Sequence, residues 1–385
     1  ATQDLAAQLA GEAFDHLFAV TWLRLLPAKV LALPQRGTVN FHDGPLPRYA
    51  GLNATCWALL HGEREHAITW HEVDPKADTG RILLQRSFPI ADDDTAFTLN
   101  ARCFQIGQET FAELVDALAA GSVQPVAQDL TQRTYFSRTA RPEALAVLDW
   151  TQPAAALARL VRAFDHGGYK NPIAVAKVVA SHGAFVPGAV EVVAGTGAQP
   201  GFVSEVGEDV VQVACADGEL RMTRLRCLRG LPLDLGALQR YGVMQGVRLP
   251  LADAGLRTLR TSLGTATAAH EDAWVEVLRR QEPLPVPDGN PGTGSPDPAE
   301  LAVALPPAAA EATAALCVAF LMRATAAAEC TLGVRLPAHV PFVDGAGELV
   351  VQAPPANFAF AAPGGSAAGT SIGDAGRTTT ASALQ

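Results

Sequence analysis

Three polar residues carry the chemistry this sequence offers: Asn40 and His42, two positions apart, and Asp78, which opens an Asp-Thr-Gly turn. In an extended segment the side chains at i and i+2 leave the same face, so Asn40 and His42 can converge on one substrate atom. A carboxamide N–H and a protonated imidazole both stabilise the oxyanion of a tetrahedral intermediate. A carboxylate beside the imidazole raises its pKa and orients it. Such a set suits acyl transfer to an amine, with proton removal by the carboxylate, the imidazole or a relayed water, and no metal is needed. Taken singly the residues have plainer readings. Asn40 and His42 can be strand-end residues bonded to backbone, and Asp78 a turn residue bonding the backbone two positions on.

The elements that must position these groups follow from periodicity and punctuation. Residues 38–42 read as a short strand entered through Gly37, and Gly44-Pro45-Leu46-Pro47 forces the chain out of it into a rigid loop. Loops beyond strand ends are where α/β proteins build their sites. Strands are predicted over 68–73 and 82–90, on either side of the Asp-Thr-Gly turn, and residues 4–26 read as helical and then apolar. Leu99, Cys103, Ile106, Phe111, Leu114, Val115 and Leu118 keep the spacing of a long amphipathic helix that Gly121 stops. Residues 1–140 are thus a mixed α/β layer.

Over 141–250 the pattern becomes that of a small, β-rich, barrel-like domain. A helix capped near Thr151, with Leu157, Leu160, Val161 and Phe164 on one stripe, ends at Gly167-Gly168. Val211, Val213 and Cys215 alternate before Asp217-Gly218, and Leu220 and Met222 after it, which predicts a hairpin with a type I′ turn. Residues 251–300 are expected to be linker, most clearly the Pro- and Gly-dominated stretch 282–298; an Ala-rich helix is expected beyond it, and a disordered tail over 363–385.

At 385 residues the chain is expected to hold about two to three domains, and with 49% hydrophobic and 18% charged residues most of it should fold. A net charge of −10 argues against a protein whose main task is neutralising nucleic-acid phosphates. The six cysteines are scattered and form no C-x-x-C pair, so neither a disulfide framework nor a zinc site is suggested, and a reducing, cytoplasmic setting is expected. The opening ATQDLAAQLAGEAFDHLF has no signal-peptide features and no initiator Met, and is read as a cut end. The most apolar stretch, AALCVAFLM, is bounded by Glu311 and Arg323 and falls short of the ~20 residues of a bilayer span, so a soluble chain is expected.

Taken together, Asn40-Phe41-His42, the loop Pro45-Leu46-Pro47-Arg48-Tyr49-Ala50-Gly51 and Asp78-Thr79-Gly80 resemble the Asn-x-His strand, the Leu-Pro-Arg loop and the Asp-Thr-Gly turn of folate-dependent formyltransferases. Asn-x-His alone would be a weak signal; the three elements in order and at similar spacing are specific. Leu25-Leu26-Pro27 and Val30-Leu31 resemble the segment lining the family's pteridine pocket, and residues 150–235 resemble its small carboxy-terminal domain, an open barrel related to OB folds. The resemblance spans about residues 15–240. It implies a Rossmann-like formyltransferase-type α/β domain over 1–140 and an OB-like domain over 141–250, with 10-formyltetrahydrofolate as formyl donor. It also implies catalysis by Asn40, His42 and Asp78, and a donor site at Leu25, Leu26, Val30, Asn40, Asp74, Ala77 and Asp78. There is one departure. The family's first βαβ portion would lie ahead of residue 1, so the catalytic domain is expected to lack it and to leave backbone groups unpaired.

Towards the other end, HEDAWVEVLRRQEPLPVP (270–287) and ALCVAFLMRATAAAECTLGVR (315–335) resemble the lead-in of condensation or adenylation domains of nonribosomal peptide synthetases, which makes 301–362 a partial synthetase segment. Both resemblances together imply a formylation domain of an initiation module, whose acceptor is the amino group of an aminoacyl thioester on a peptidyl carrier domain. Residues 150–250 hold 10 Lys or Arg against 8 Asp or Glu, where a tRNA-binding appendage is expected to be clearly basic. Methionyl-tRNA or an amino sugar nucleotide as acceptor, hydrolysis of the donor, and a non-catalytic docking module are the alternatives.

The remaining candidates read more simply. His61, His66, His71 and Glu72 lack the spacing of a metal site, Trp57 and Trp70 read as core or pocket wall, and Cys56 as a packed small hydrophobe. Arg221, Arg224, Arg226 and Arg229 read as a solvated face, while Arg48 and Tyr49 either meet substrate or shape their loop.

Overall fold

The computed structural model describes residues 5–9, 11–169, 171, 173–228, 230–279, 329–334 and 356–361. A first compact unit runs to Gly264 and a second begins at Thr265. The first opens with α1 (Leu5–Leu9), β1 (His16–Ala19), α2 (Ala28–Leu31), β2 (Gly37–His42), β3 (Ala50–Gly51), α3 (Ala54–His61), β4 (Glu65–Glu72), β5 (Ile82–Pro89), α4 (Ala96–Ala119) and β6 (Tyr135–Phe136). Four of the strands form one mixed sheet in the order β1-β2-β4-β5, with β1 parallel to β2 and β4 antiparallel to both its neighbours. β3 and β6 make a separate short parallel pair.

Alternation along β2 is what faces the polar pair one way. Val39 and Phe41 are buried, and α4 lies so close to them that a Cβ on Gly107 would sit 2.6 Å from the Phe41 ring. Asn40 and His42 therefore leave the opposite face. α4 starts at a reciprocal cap, in which Thr95 accepts from the Thr98 N–H and Thr98 from the Thr95 N–H. Leu99, Cys103, Gly107, Thr110 and Leu114 form its buried stripe, and the Thr110 hydroxyl accepts from Trp70 Nε1 at 2.9 Å. The run over 4–26, expected to be helical and then apolar, is corrected: among its described residues Leu5–Leu9 is helical, and His16–Ala19 is a strand whose Phe18 meets Trp70 and Phe111 edge-on. Pairing with β2 and ring packing outweigh the local helical preference there.

The rest of this unit comprises α5 (Ala154–Ala163), β7 (Val178–Ala180), β8 (Gly183–Val186), β9 (Ala189–Val193), β10 (Val203–Val206), β11 (Val210–Ala214), β12 (Glu219–Thr223), β13 (Arg226–Cys227), α6 (Leu235–Arg240) and most of α7 (Ala254–Ala268). Its strands form two sheets, β10-β11-β12-β9 and β13-β8-β7. No ladder joins these sheets among the described residues, so the expected barrel is not closed. The β11–β12 hairpin has the predicted register, Val213 opposite Leu220 and Ala214 opposite Glu219. Its turn is not type I′, because neither Asp217 nor Gly218 has a positive φ. Asp217 instead accepts from the Ala154 N–H at 2.9 Å, capping α5 from outside. That replaces the cap expected near Thr151, since the N-cap residue is Pro153, which has no acceptor side chain.

Part of the expected linker is helical. α7 covers 254–268, with Arg257 paired to Asp149 and Gly264 pressed against Leu145, and α8 (Glu271–Arg279) follows in the second unit. That unit also contains the antiparallel pair β14 (Glu329–Val334) and β15 (Ala356–Ala361). The Pro- and Gly-rich stretch 282–298, the Ala-rich helix and the tail over 363–385 lie outside the described residues. Among the described residues no helix is long and apolar enough to cross a membrane, and no three His, Cys, Asp or Glu side chains form a metal-holding group.

Candidate active site

Antiparallel pairing of β2 with β4 sets Asn40 opposite His71 and His42 opposite Thr69. Thr69 ties the following loop down: its hydroxyl donates to the Gly44 carbonyl at 2.7 Å and accepts from the Leu46 N–H at 3.3 Å. Asp78 comes from the turn after β4 and has a left-handed φ of 56°, a backbone state that Asp tolerates better than most residues. Gly80 makes that turn possible, because a Cβ there would lie 1.8 Å from the Glu72 carbonyl oxygen. Gln128 Nε2 donates to the carbonyls of Asp78 (3.1 Å) and Gly80 (2.6 Å), and Arg133 to that of Ala77 (3.0 Å).

So clamped, Asp78 faces the strand residues. Its Oδ2 accepts from the Gly51 N–H at 2.7 Å and lies 4.0 Å from His42 Nδ1, and its Oδ1 lies 3.5 Å from His71 Nε2. Burial by itself would raise the Asp78 carboxyl. The His71 hydrogen bond, the charge of His42 and the Gly51 N–H outweigh it and hold the group down at about 2. Asp78 is therefore a carboxylate at neutral pH. His42 is committed at its other end: Nε2 lies 2.8 Å from the Tyr49 carbonyl, which can only accept, so Nε2 carries a proton and Nδ1 faces Asp78. Tyr49 has a φ of 58°, and its hydroxyl donates to Glu63 at 2.7 Å. Burial pushes its phenol up and Glu63 adds to that, so Tyr49 shapes the loop as a neutral group. Arg48 pairs with the same Glu63.

Asn40, His42 and Asp78, the three predicted catalytic residues, thus meet at the end of β2. The predicted donor residues divide. Leu25 and Ala77 line a cavity of about 470 Å³ with Lys76, Leu130, Arg133 and Tyr135, and it opens beside Asp78 because the flanking Ala77 and Thr79 both line it. Leu26 is half-buried outside that lining, and Val30, at 1% exposure, is inside the core. Asp74 lines a different cavity, of about 340 Å³, with His16 and Arg36. Cys56 is buried 3.3 Å from His166 Nε2, and burial pushes its thiol up to about 12, so it is no nucleophile. Trp57 and Trp70 are buried, Arg221 pairs with Glu205, and Arg229 lies outside the described residues.

The residue missed by sequence reasoning is His71. It is 2% exposed and touches both Asn40 and Asp78. Its adjacency to Asn40 is set by strand register, which no local signal reveals.

The family profile described as Formyl transferase matches residues 1–115, and the profile Formyl transferase, C-terminal domain, matches residues 143–237. Methionyl-tRNA formyltransferase of Stutzerimonas stutzeri (strain A1501) is 34% identical over 232 residues, covering 60% of this chain and 71% of that protein. The methionyl-tRNA formyltransferase of Trichlorobacter lovleyi (strain ATCC BAA-1151 / DSM 17278 / SZ) is 30% identical over 248 residues, covering 62% and 76%. Among solved structures the chain is similar to an N-formyltransferase from Helicobacter canadensis, with a TM-score of 0.45 and 20% identity over 54% of this chain and 73% of that one. The chain belongs to the formyltransferase family, a family of group-transfer enzymes.

Proposed function

We propose that the chain transfers the formyl group of 10-formyltetrahydrofolate to a primary amine, and that the acceptor is the amino group of an aminoacyl thioester on a peptidyl carrier domain. The observation carrying the transfer is the meeting of Asn40, His42 and the ionised Asp78 beside a cavity of about 470 Å³. That cavity suits the donor. Leu25, Leu130 and Tyr135 offer apolar wall to a flat heterocycle, while Lys76 and the buried, unbonded Nε of Arg133 supply positive charge for an anionic tail. Free, buried thiols at Cys56, Cys103, Cys215 and Cys227 fit a reducing, cytoplasmic setting.

In this reading the amine nitrogen attacks the formyl carbon, a C–N bond forms, and the bond from that carbon to the donor nitrogen breaks. Asn40 donates an N–H to the developing oxyanion. His42 sets the field behind it, and the Asp78 carboxylate takes the proton the amine loses, which is returned to the departing donor nitrogen. The carrier-bound acceptor is supported by the synthetase-like segments and by the weakly basic balance of residues 150–250. Methionyl-tRNA is the second reading, favoured by the names of the relatives. A formylation assay offering each acceptor in turn with 10-formyltetrahydrofolate tests both. The expected result is an N-formyl aminoacyl thioester; product from methionyl-tRNA alone would replace the first acceptor by the second, and no product from any amine would overturn the transferase reading of this chain.

A further inference from the structure

His71 sits at a junction that can be made in only one way at a time. Its Nδ1 lies 2.7 Å from the Glu72 carbonyl oxygen, an acceptor without a proton, so Nδ1 carries hydrogen whatever the charge of the ring. That leaves Nε2 to serve two neighbours of opposite demand, Asn40 Nδ2 at 3.1 Å and Asp78 Oδ1 at 3.5 Å. A neutral ring presents a lone pair, which accepts from the Asn40 amide and leaves the carboxylate to the Gly51 N–H and the charge of His42. A protonated ring presents an N–H, which donates to Asp78 and leaves the Asn40 N–H facing another donor, so the carboxamide must turn over. His71 itself is 2% exposed, so solvent reaches the junction only past Asn40 and Asp78.

We propose that His71 is a positioning residue for formyl transfer: when neutral it fixes the Asn40 carboxamide with an N–H toward the reacting carbonyl, and when protonated it captures Asp78 and releases Asn40. The proposal rests on the formyl-transfer reading for its chemistry and on the side-chain geometry for its switch. The groups facing the ring are few. From β2 they are Asn40 and, edge-on with ring centroids 6.4 Å apart, His42; from the turn, Asp78. On its own strand the Glu72 carboxylate is taken by Arg81, and the register partner from β5 is the apolar Ile82. Protonation of His71 is therefore read mainly by Asp78 and Asn40.

Nitrogen-15 NMR of the histidine rings and of the Asn40 side-chain amide in the full chain tests the switch without any turnover. The expected spectra give His71 as the Nδ1–H tautomer at high pH, and the Asn40 amide signals move as the ring gains its second proton. In His71→Gln, an acceptor that cannot protonate, that movement is absent. An Nε2–H tautomer at high pH, or an Asn40 amide that ignores His71, overturns the proposal. Kinetics form the second arm. His71→Leu should lose about 100-fold in kcat with the donor KM changed less than about 3-fold, and His71→Gln should recover to within about 10-fold. Wild-type kcat in His71→Leu overturns the proposal. Absence of transfer in the wild-type chain refutes the function instead, and the NMR result still decides the switch.

Discussion

Asp78 stays ionised although it is largely buried, because its neighbours favour the charged form. The side chain is 14% exposed, yet the carboxyl is held at about 2 by His71, His42 and the Gly51 N–H. Replacing it by Asn keeps a residue that accepts a φ of 56° and removes the charge and one of the two acceptor oxygens. Asp78→Asn should therefore lower kcat by about 10²- to 10⁴-fold, the range of a lost general base. Its thermal unfolding midpoint should fall by a few degrees, because the depressed carboxyl also contributes to stability at neutral pH. A variant with near-normal kcat would remove Asp78 from the chemistry, and one that fails to fold would make it a structural residue.

Two elements decide whether the site and its neighbouring domain persist. The turn carrying Asp78 depends on Gly80, whose missing Cβ leaves room for the Glu72 carbonyl. Because the clash is with backbone, Gly80→Ala should cost about 1–3 kcal/mol in urea unfolding and reduce turnover as well. In the β10–β11–β12 sheet, Glu219 is fully buried and accepts four hydrogen bonds, from the Thr196 N–H and hydroxyl, the Ser204 hydroxyl and Gln212 Nε2. Burial raises this carboxyl, but the donors outweigh it and bring it to about 2, below its ordinary 4.5. The sign follows: its contribution to stability is complete above about 4.5 and is lost as pH falls towards about 2. Glu219→Gln puts an NH₂ against two donors and should cost about 1–3 kcal/mol at neutral pH. The penalty should shrink between pH 4 and pH 2, as followed by unfolding at each pH. An equal penalty at every pH would show that Glu219 is not charged in the fold.

At the scale of the whole chain the net charge of −10 bears on the acceptor. A protein that grips tRNA through several phosphates loses affinity on the order of 10³-fold between 50 and 200 mM salt, because counterions return to the nucleic acid. With 10 basic against 8 acidic residues over 150–250, the KM for a carrier-bound acceptor is expected to change less than about 3-fold over the same salt range. A steep rise of KM with salt would instead place a polyanion at the acceptor site.

The formyltransferase elements around the site were legible because each rests on local rules. Period-two alternation put Asn40 and His42 on one face, Pro45 and Pro47 broke the strand, and apolar spacing ending at Gly121 marked α4. These signals, with the Asp-Thr-Gly turn, placed the three polar residues, and the resemblance to folate-dependent formyltransferases singled them out as the site. They could not place β1, whose four residues carry no period long enough to outvote a helical reading. Nor could they show that Asp217 caps α5 from a hairpin 63 positions away, or that Val30 turns into the core while Leu25 meets the cavity. His71 is the clearest case. Its type and spacing were plain in the sequence, but its role depends on which residue of β2 stands opposite, and register is fixed by packing on both faces of the sheet at once. Sequence alone determined which groups could react; the tertiary structure decided which nitrogen faces which oxygen, because those distances join residues that only the folded sheet brings together.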